Sequence, residues 1–167
     1  MNLSTQSQAC LPKELADSEV FLLGRLGYGL KRHAAEEVEA AGFSLYDYRV
    51  MALLADGKCQ AQASIADVLQ LDRSQLVGML DGLEERGLIE RRRDPIDRRR
   101  HRVTLTTAGE GELAKLRELM QRIEEEFLAP LDTESRDTLY GLLSKLATYH
   151  DKRFPAPAEA DVVAVAS

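Results

Sequence analysis

From Lys13 to Ala41, apolar residues return at every third or fourth position: Leu15, Leu22, Leu26, Leu30, Ala34, Val38 and Ala41. An α-helix gathers that spacing onto one face, so the chain is predicted to start with a long amphipathic helix. The wider gap from Leu15 to Leu22, with Glu19 inside it, marks a frayed first turn. Gly42 stops this helix. Ser44 reads as the N-cap of a second helix running to Ala55, with Asp47 in its first turn, and Asp56-Gly57 breaks it. A short third helix fits Ala61–Leu69. Asp72 caps a fourth, with Gln75 as the partner of a capping-box-like pair, and Leu76, Met79, Leu80 and Leu83 share its apolar face. Beyond Arg86-Gly87, Leu88-Ile89 and Val103–Leu105 alternate like two short strands, and the polar, proline-containing stretch Arg91–Arg102 reads as their hairpin loop. Thr106 caps a fifth helix reaching about Phe127. After Pro130, Asp132 caps a sixth that ends near His150.

At 167 residues the chain has the size of one ordinary domain. Only 5% of it is aromatic and none is Trp, which suits packed helices better than a sandwich or barrel. Residues 1–12 are polar, end at Pro12 and read as a loose arm. The Pro/Ala-rich stretch Phe154–Ser167 reads as a disordered tail. No apolar run approaches the roughly 20 residues needed to span a bilayer, and the N-terminus lacks the pattern of a signal peptide, so a cytoplasmic protein is expected. Cys10 and Cys59 form no CxxC pair and read as free thiols. No Cys/His/Asp cluster has metal-ligand spacing, no Gly-rich phosphate loop is present, and no nucleophile–base pair is legible. Neither an enzyme nor a cofactor or metal site is expected.

Between Arg86 and Arg102, seventeen residues hold eight arginines against three acids: Arg86, Arg91, Arg92, Arg93, Arg98, Arg99, Arg100 and Arg102 against Glu90, Asp94 and Asp97. That is a formal charge of +5 in a chain whose total is −6, which leaves −11 on the other 150 residues. Clustered guanidinium groups repel one another unless an anion such as a phosphate backbone meets them. Charge alone leaves a solvated loop as the alternative. Position decides between them, because the cluster occupies a hairpin that follows a compact three-helix unit. This order is the outline of a winged helix-turn-helix: mainly α, with a small β-hairpin wing. In that arrangement the fourth helix enters a major groove and the hairpin loop reaches the backbone and minor groove beside it.

The residues Asp97, Arg99, Leu105, Thr106 and Gly109, within DRRRHRVTLTTAG, match the DxRxxxxxLTxxG wing signature of the MarR family of transcriptional regulators. The preceding passage from Leu80 to Arg99 also resembles that family's helix-to-wing passage. The resemblance covers about residues 13 to 150 and implies an obligate homodimer on a near-palindromic double-stranded DNA operator, acting as a repressor. It divides the chain into an arm (1–12), a dimerisation helix (13–44), a winged helix-turn-helix lobe (45–109), two further dimerisation helices (110–150) and a tail (151–167). The sequence agrees independently, since the first, fifth and sixth helices carry more apolar stripe than one small lobe can cover. Many members of the family are released from DNA by small phenolic or aromatic acids that bind between the dimer helices and the lobe.

On the recognition helix the expected DNA contacts are Arg73 and Ser74 to phosphate, Gln75 to an adenine edge, and Val77 to a thymine methyl, with Gly78 beside them. Gly78 and Gly82 stand where many family members carry polar or charged residues, so the wing and DNA shape are expected to take more of the recognition. Gln62 and Ser64 on the short third helix are further phosphate candidates. In the wing, Arg98, Arg99 and Arg100 form the tip, with Arg98 and Arg99 the choices for the minor groove. Asp97 anchors the loop, Arg91 and Arg93 flank the backbone, and Arg92 faces away. Thr106 reads as a structural cap. Tyr28, His33, Tyr46, Tyr48 and Arg49 are candidates for an effector site, each with ordinary helix packing as the competing role. Two other functions stay open on sequence: a thiol-based redox-sensing repressor using Cys10 or Cys59, and a winged-helix protein-interaction module.

Overall fold

A computed structural model of the chain describes residues 11–57, 62–93 and 101–154. The elements in chain order are α1 (Lys13–Ala16), α2 (Glu19–Ala40), α3 (Leu45–Asp56), α4 (Gln62–Leu69), α5 (Arg73–Glu85), β1 (Ile89–Arg93), β2 (His101–Leu105), α6 (Thr107–Phe127) and α7 (Thr133–His150). Caps set most of the boundaries. Ser44 and Asp47 form a full capping box: the Ser44 hydroxyl accepts the Asp47 N–H at 3.0 Å, and the Ser44 N–H donates to the Asp47 carboxylate at 2.8 Å. The Asp132 carboxylate accepts the Ser135 N–H at 2.9 Å.

Three sequence expectations need correction. The long first helix is broken at Asp17–Ser18, where the Ser18 hydroxyl caps a new helix by accepting the Phe21 N–H. A Ser that can cap competes with helix continuation, and it stands in the polar run Asp17-Ser18-Glu19, which offers no apolar side chain to hold that turn. The strands are longer than Leu88-Ile89 and Val103–Leu105, pairing Ile89 with Leu105, Arg91 with Val103 and Arg93 with His101. Arg91 to Arg93 and Arg102 therefore belong to the ladder rather than to the loop. Lastly, the tail does not leave the fold at once. Arg153 donates to Val68 O at the end of α4 (3.1 Å) and pairs with Asp151, whose carboxyl that guanidinium holds down to about 2.

One core serves the lobe. Val50, Met51, Ile65, Leu76, Leu80, Leu83, Ile89 and Val103 pack beneath the first half of α6 (Leu113, Leu116) and the C-terminal end of α2 (Ala34, Val38). Met79, expected on the core face, is only half buried. The α5–β1 corner is a Schellman turn: Leu88 N–H donates to Leu83 O, Gly87 N–H to Glu84 O, and Gly87 takes φ 69°, which a side chain would disfavour. Thr106 then closes the base of the wing. Its hydroxyl donates to Gly87 O at 2.7 Å and accepts the Gly109 N–H at 3.0 Å, and its own N–H donates to Leu88 O. Here the expected structural role of Thr106 is the observed one.

By contrast, α7 buries none of its residues, and neither does the first half of α2. Val20, Leu22, Leu23 and Leu26 on α2 are exposed in the single chain, as are Leu142, Leu146 and Tyr149 on α7; Val20 and Tyr149 reach 80% and 83%. Scattered apolar side chains on a surface are ordinary, but two helices exposed along their apolar stripes are not. Among the described residues no helix is long and apolar enough to cross a membrane.

Candidate nucleic-acid interface

Asp72 caps α5, the helix expected to act as the recognition helix. Its carboxylate accepts the Gln75 N–H at 2.8 Å and the Ser74 hydroxyl at 2.6 Å, and these bonds hold its pKa below the ordinary value, the Ser74 hydroxyl foremost. The cap is one-sided: Asp72 receives the Gln75 main chain, and no full capping box forms as it does at Ser44. The Gln75 side chain is exposed and not committed to capping. The Ser74 hydroxyl, expected to donate to phosphate, spends its proton on Asp72. Phosphate oxygens only accept, so this rotamer leaves Ser74 without that donor.

Arg73, Gln75, Val77 and Gly78 all lie exposed above buried Leu76 and Leu80, so the N-terminal half of α5 presents the outward face expected of it. Ser64 is exposed on α4. Gln62, Val77, Glu84 and Arg91 line a groove of about 380 Å³ between α4, α5 and the wing. Apart from the backbone of α5 itself and the adjoining residues, no atom lies within 4 Å of a Cβ built on Gly78 or Gly82, so neither glycine is required by packing. Gly78→Ala should therefore stabilise the protein by about 1 kcal/mol, a rise of about 2–4 °C in melting temperature. An unchanged or lower melting temperature would mean that the folded backbone there needs glycine after all.

The arginines separate by environment. Arg93 and Arg102 are exposed on their strands. Arg92 is also exposed and pairs with Glu90 at 2.9 Å. Arg86 ends α5 with its guanidinium 4.0 Å over the Phe43 ring and donates to Gly42 O at 3.1 Å, tying the recognition helix to the α2–α3 corner. Sequence reasoning missed that contact, because its partners lie 43 and 44 residues upstream. Arg91 does not lie open toward a DNA backbone as expected. It is turned onto Asp81 and Glu84 of α5. Asp97, Arg98, Arg99 and Arg100 lie outside the described residues, as do Cys10 and Cys59.

A second, apolar cavity of about 700 Å³ opens among α2, α3, α6 and α7, lined by Leu30, Tyr48, Met120, Phe127, Arg136 and Tyr140 among others. Of the five effector candidates only Tyr48 reaches it. Tyr28 and His33 are exposed elsewhere on α2, and Tyr46 is exposed with the Arg49 guanidinium 5.4 Å over its ring. Arg136, half buried and donating to Leu131 O at 3.1 Å, was not foreseen. Nothing in local spacing marks it, since α7 meets the other walls only in the folded chain. No group of three or more His, Cys, Asp or Glu among the described residues could hold a metal ion.

Comparison with known proteins agrees with this geometry. Residues 43–101 match the model of the MarR family. The chain is 32% identical over 133 residues to the putative transcriptional regulatory protein for the hcr operon of Thauera aromatica, covering 75% of this chain and 80% of that one. The transcriptional repressor CouR bound to a 23-mer DNA duplex superposes with a TM-score of 0.72 at 31% identity, over 83% of this chain and 99% of CouR. CouR from Rhodococcus jostii RHA1 bound to p-coumaroyl-CoA gives 0.65 at 27%, over 87% and 98%.

Proposed function

Because the chain belongs to the MarR family and is a DNA-binding transcriptional regulator rather than an enzyme, we propose that it acts as a homodimeric repressor on a near-palindromic operator. The observation that carries this reading is the uncovered apolar stripe on α2 and α7, in a lobe that presents the first half of α5 to solvent. Pairing two copies through that stripe buries it. It also sets two recognition helices about one DNA turn, or roughly 34 Å, apart. Residues 13–44 and 110–150 serve the dimer, and 45–109 read DNA. Within the lobe Arg73, Gln75 and Val77 work in the major groove, and Arg98 and Arg99 at the wing tip work in the minor groove.

Selection of bound sequences from a random duplex pool tests this. The expected product is an inverted repeat with half-sites about 10 bp apart, centre to centre. A single half-site or no enrichment would remove the dimeric reading. On the selected duplex, Arg98→Ala with Arg99→Ala should weaken binding on every sequence. The slope of log affinity against log salt should flatten by about 0.9 for each phosphate that is no longer neutralised. Binding unchanged across salt concentrations would take the wing tip out of the interface.

The cavity beside Tyr48 supports relief of repression by a small aromatic or phenolic molecule. Its walls are mainly apolar, Tyr48 and Tyr140 offer ring faces, and Arg136 offers a cation. CouR, a structural neighbour, is solved with p-coumaroyl-CoA. Adding p-coumarate or p-coumaroyl-CoA to the operator complex should release DNA; if neither does, these two probes are not effectors.

A further inference from the structure

Arg91 stands at the root of the wing, yet its side chain is only 20% exposed. Its Nε donates to Glu84 Oε2 at 2.8 Å, its Nη2 to Asp81 Oδ1 at 2.5 Å, and its main-chain N–H to Glu84 Oε1 at 3.2 Å. Asp81 and Glu84 are three residues apart on α5, so both carboxylates stand on the face turned toward β1. One planar guanidinium and one peptide N–H thus fasten the first strand of the wing to the recognition helix. Glu84 and Arg91 also line the groove between the wing and α5.

The charge balance here runs against phosphate contact. Two carboxylates, Asp81 and Glu84, stand against the Arg91 guanidinium where the neighbouring surface must meet a polyanion. By electrostatics alone, Asp81 and Glu84 lower DNA affinity. Their geometry has a different use. The recognition helix and the wing must engage adjacent grooves together, and a wing free to swing would lose that freedom on every binding event. The fork of a guanidinium held by two acceptors has a fixed plane, which a single flexible point charge does not.

We infer that Arg91 is a positioning residue for DNA recognition: with Asp81 and Glu84 it fixes the wing to the recognition helix and does not itself neutralise a phosphate. This rests on DNA binding by the lobe and not on the dimer or the effector. Two variants of the full-length protein test it, on the pool-selected duplex and on a scrambled one. Asp81→Asn with Glu84→Gln removes two negative charges from the interface. Electrostatics alone predicts tighter binding to both duplexes. The positioning role predicts about tenfold weaker binding to the selected duplex, with binding to the scrambled one unchanged or tighter. Both carboxylates are partly exposed, so their neutral isosteres leave the core untouched.

The second variant, Arg91→Gln, should lose selected-duplex affinity by a similar factor with no change in the salt slope. A slope lower by about 0.9 per protomer would mean that Arg91 contacts phosphate, and the inference would fail. It would fail equally if the double acid variant bound the selected duplex as well as the parent or better.

Discussion

Alanine at Gly109 should destabilise the protein by about 2–3 kcal/mol, read as a fall of roughly 4–12 °C in the thermal midpoint. A Cβ at that position would stand 2.0 Å from Leu88 O and 3.1 Å from the Leu105 side chain. Leu88 O already accepts the Thr106 N–H and is fixed by the Schellman turn at the end of α5. Neither side of the contact can give way cheaply, so α6 must shift off the base of the wing. The gain of about 1 kcal/mol that alanine ordinarily brings to a helix interior is smaller than this clash. Gly111, two residues on, has no atom within 4 Å of its built Cβ, so Gly111→Ala should change stability in the opposite direction. If Gly109→Ala melted at or above the parent temperature, the close approach would not exist in solution.

A charge placed in the uncovered stripe should cost DNA binding more than any single substitution at the DNA-facing surface. Leu26→Asp on α2 and, separately, Leu146→Asp on α7 would each put two carboxylates into the proposed two-fold interface, where burying an unpaired charge is strongly unfavourable. The expected result is a monomer by sedimentation and operator affinity reduced at least a hundredfold, because one lobe alone forgoes the second half-site. Both side chains lie outside the buried core, so the far-ultraviolet circular dichroism of the lobe should stay as it was. A variant that remained dimeric and bound the operator normally would place the interface elsewhere.

Helices are legible in the sequence because their signals are local. Ser44 with Asp47, Asp72, Thr106 and Asp132 announce helix starts through bonds that reach only three residues, and the structure contains each of those caps. The break at Ser18 is signalled only by the wider gap in the apolar stripe around Asp17-Ser18-Glu19, and a frayed turn would leave the same trace. The wing signature is legible as a pattern, and the physical role of two of its members emerges from the fold. Thr106 closes the wing onto Gly87, and Gly109 leaves room for Leu88 O. Effector candidates are harder to read, because a cavity formed by four helices depends on how those helices cross. Tyr48 alone among the five lines it, while Arg136 and Tyr140 come from a helix whose placement no local rule foretells.

What the amino-acid order by itself determined was the sequence of elements along the chain, apart from the break at Ser18, and the presence of a cationic hairpin after a three-helix unit. These follow from periodicity, capping and turn chemistry, all of which act over a few residues. Only the tertiary structure decided which of the described arginines are available to a partner. Arg86 and Arg91 read as members of one basic run, yet one is stacked on Phe43 and the other is held by Asp81 and Glu84. Charge is a property of the residue, whereas freedom to use that charge depends on what packing brings within about 4 Å of it.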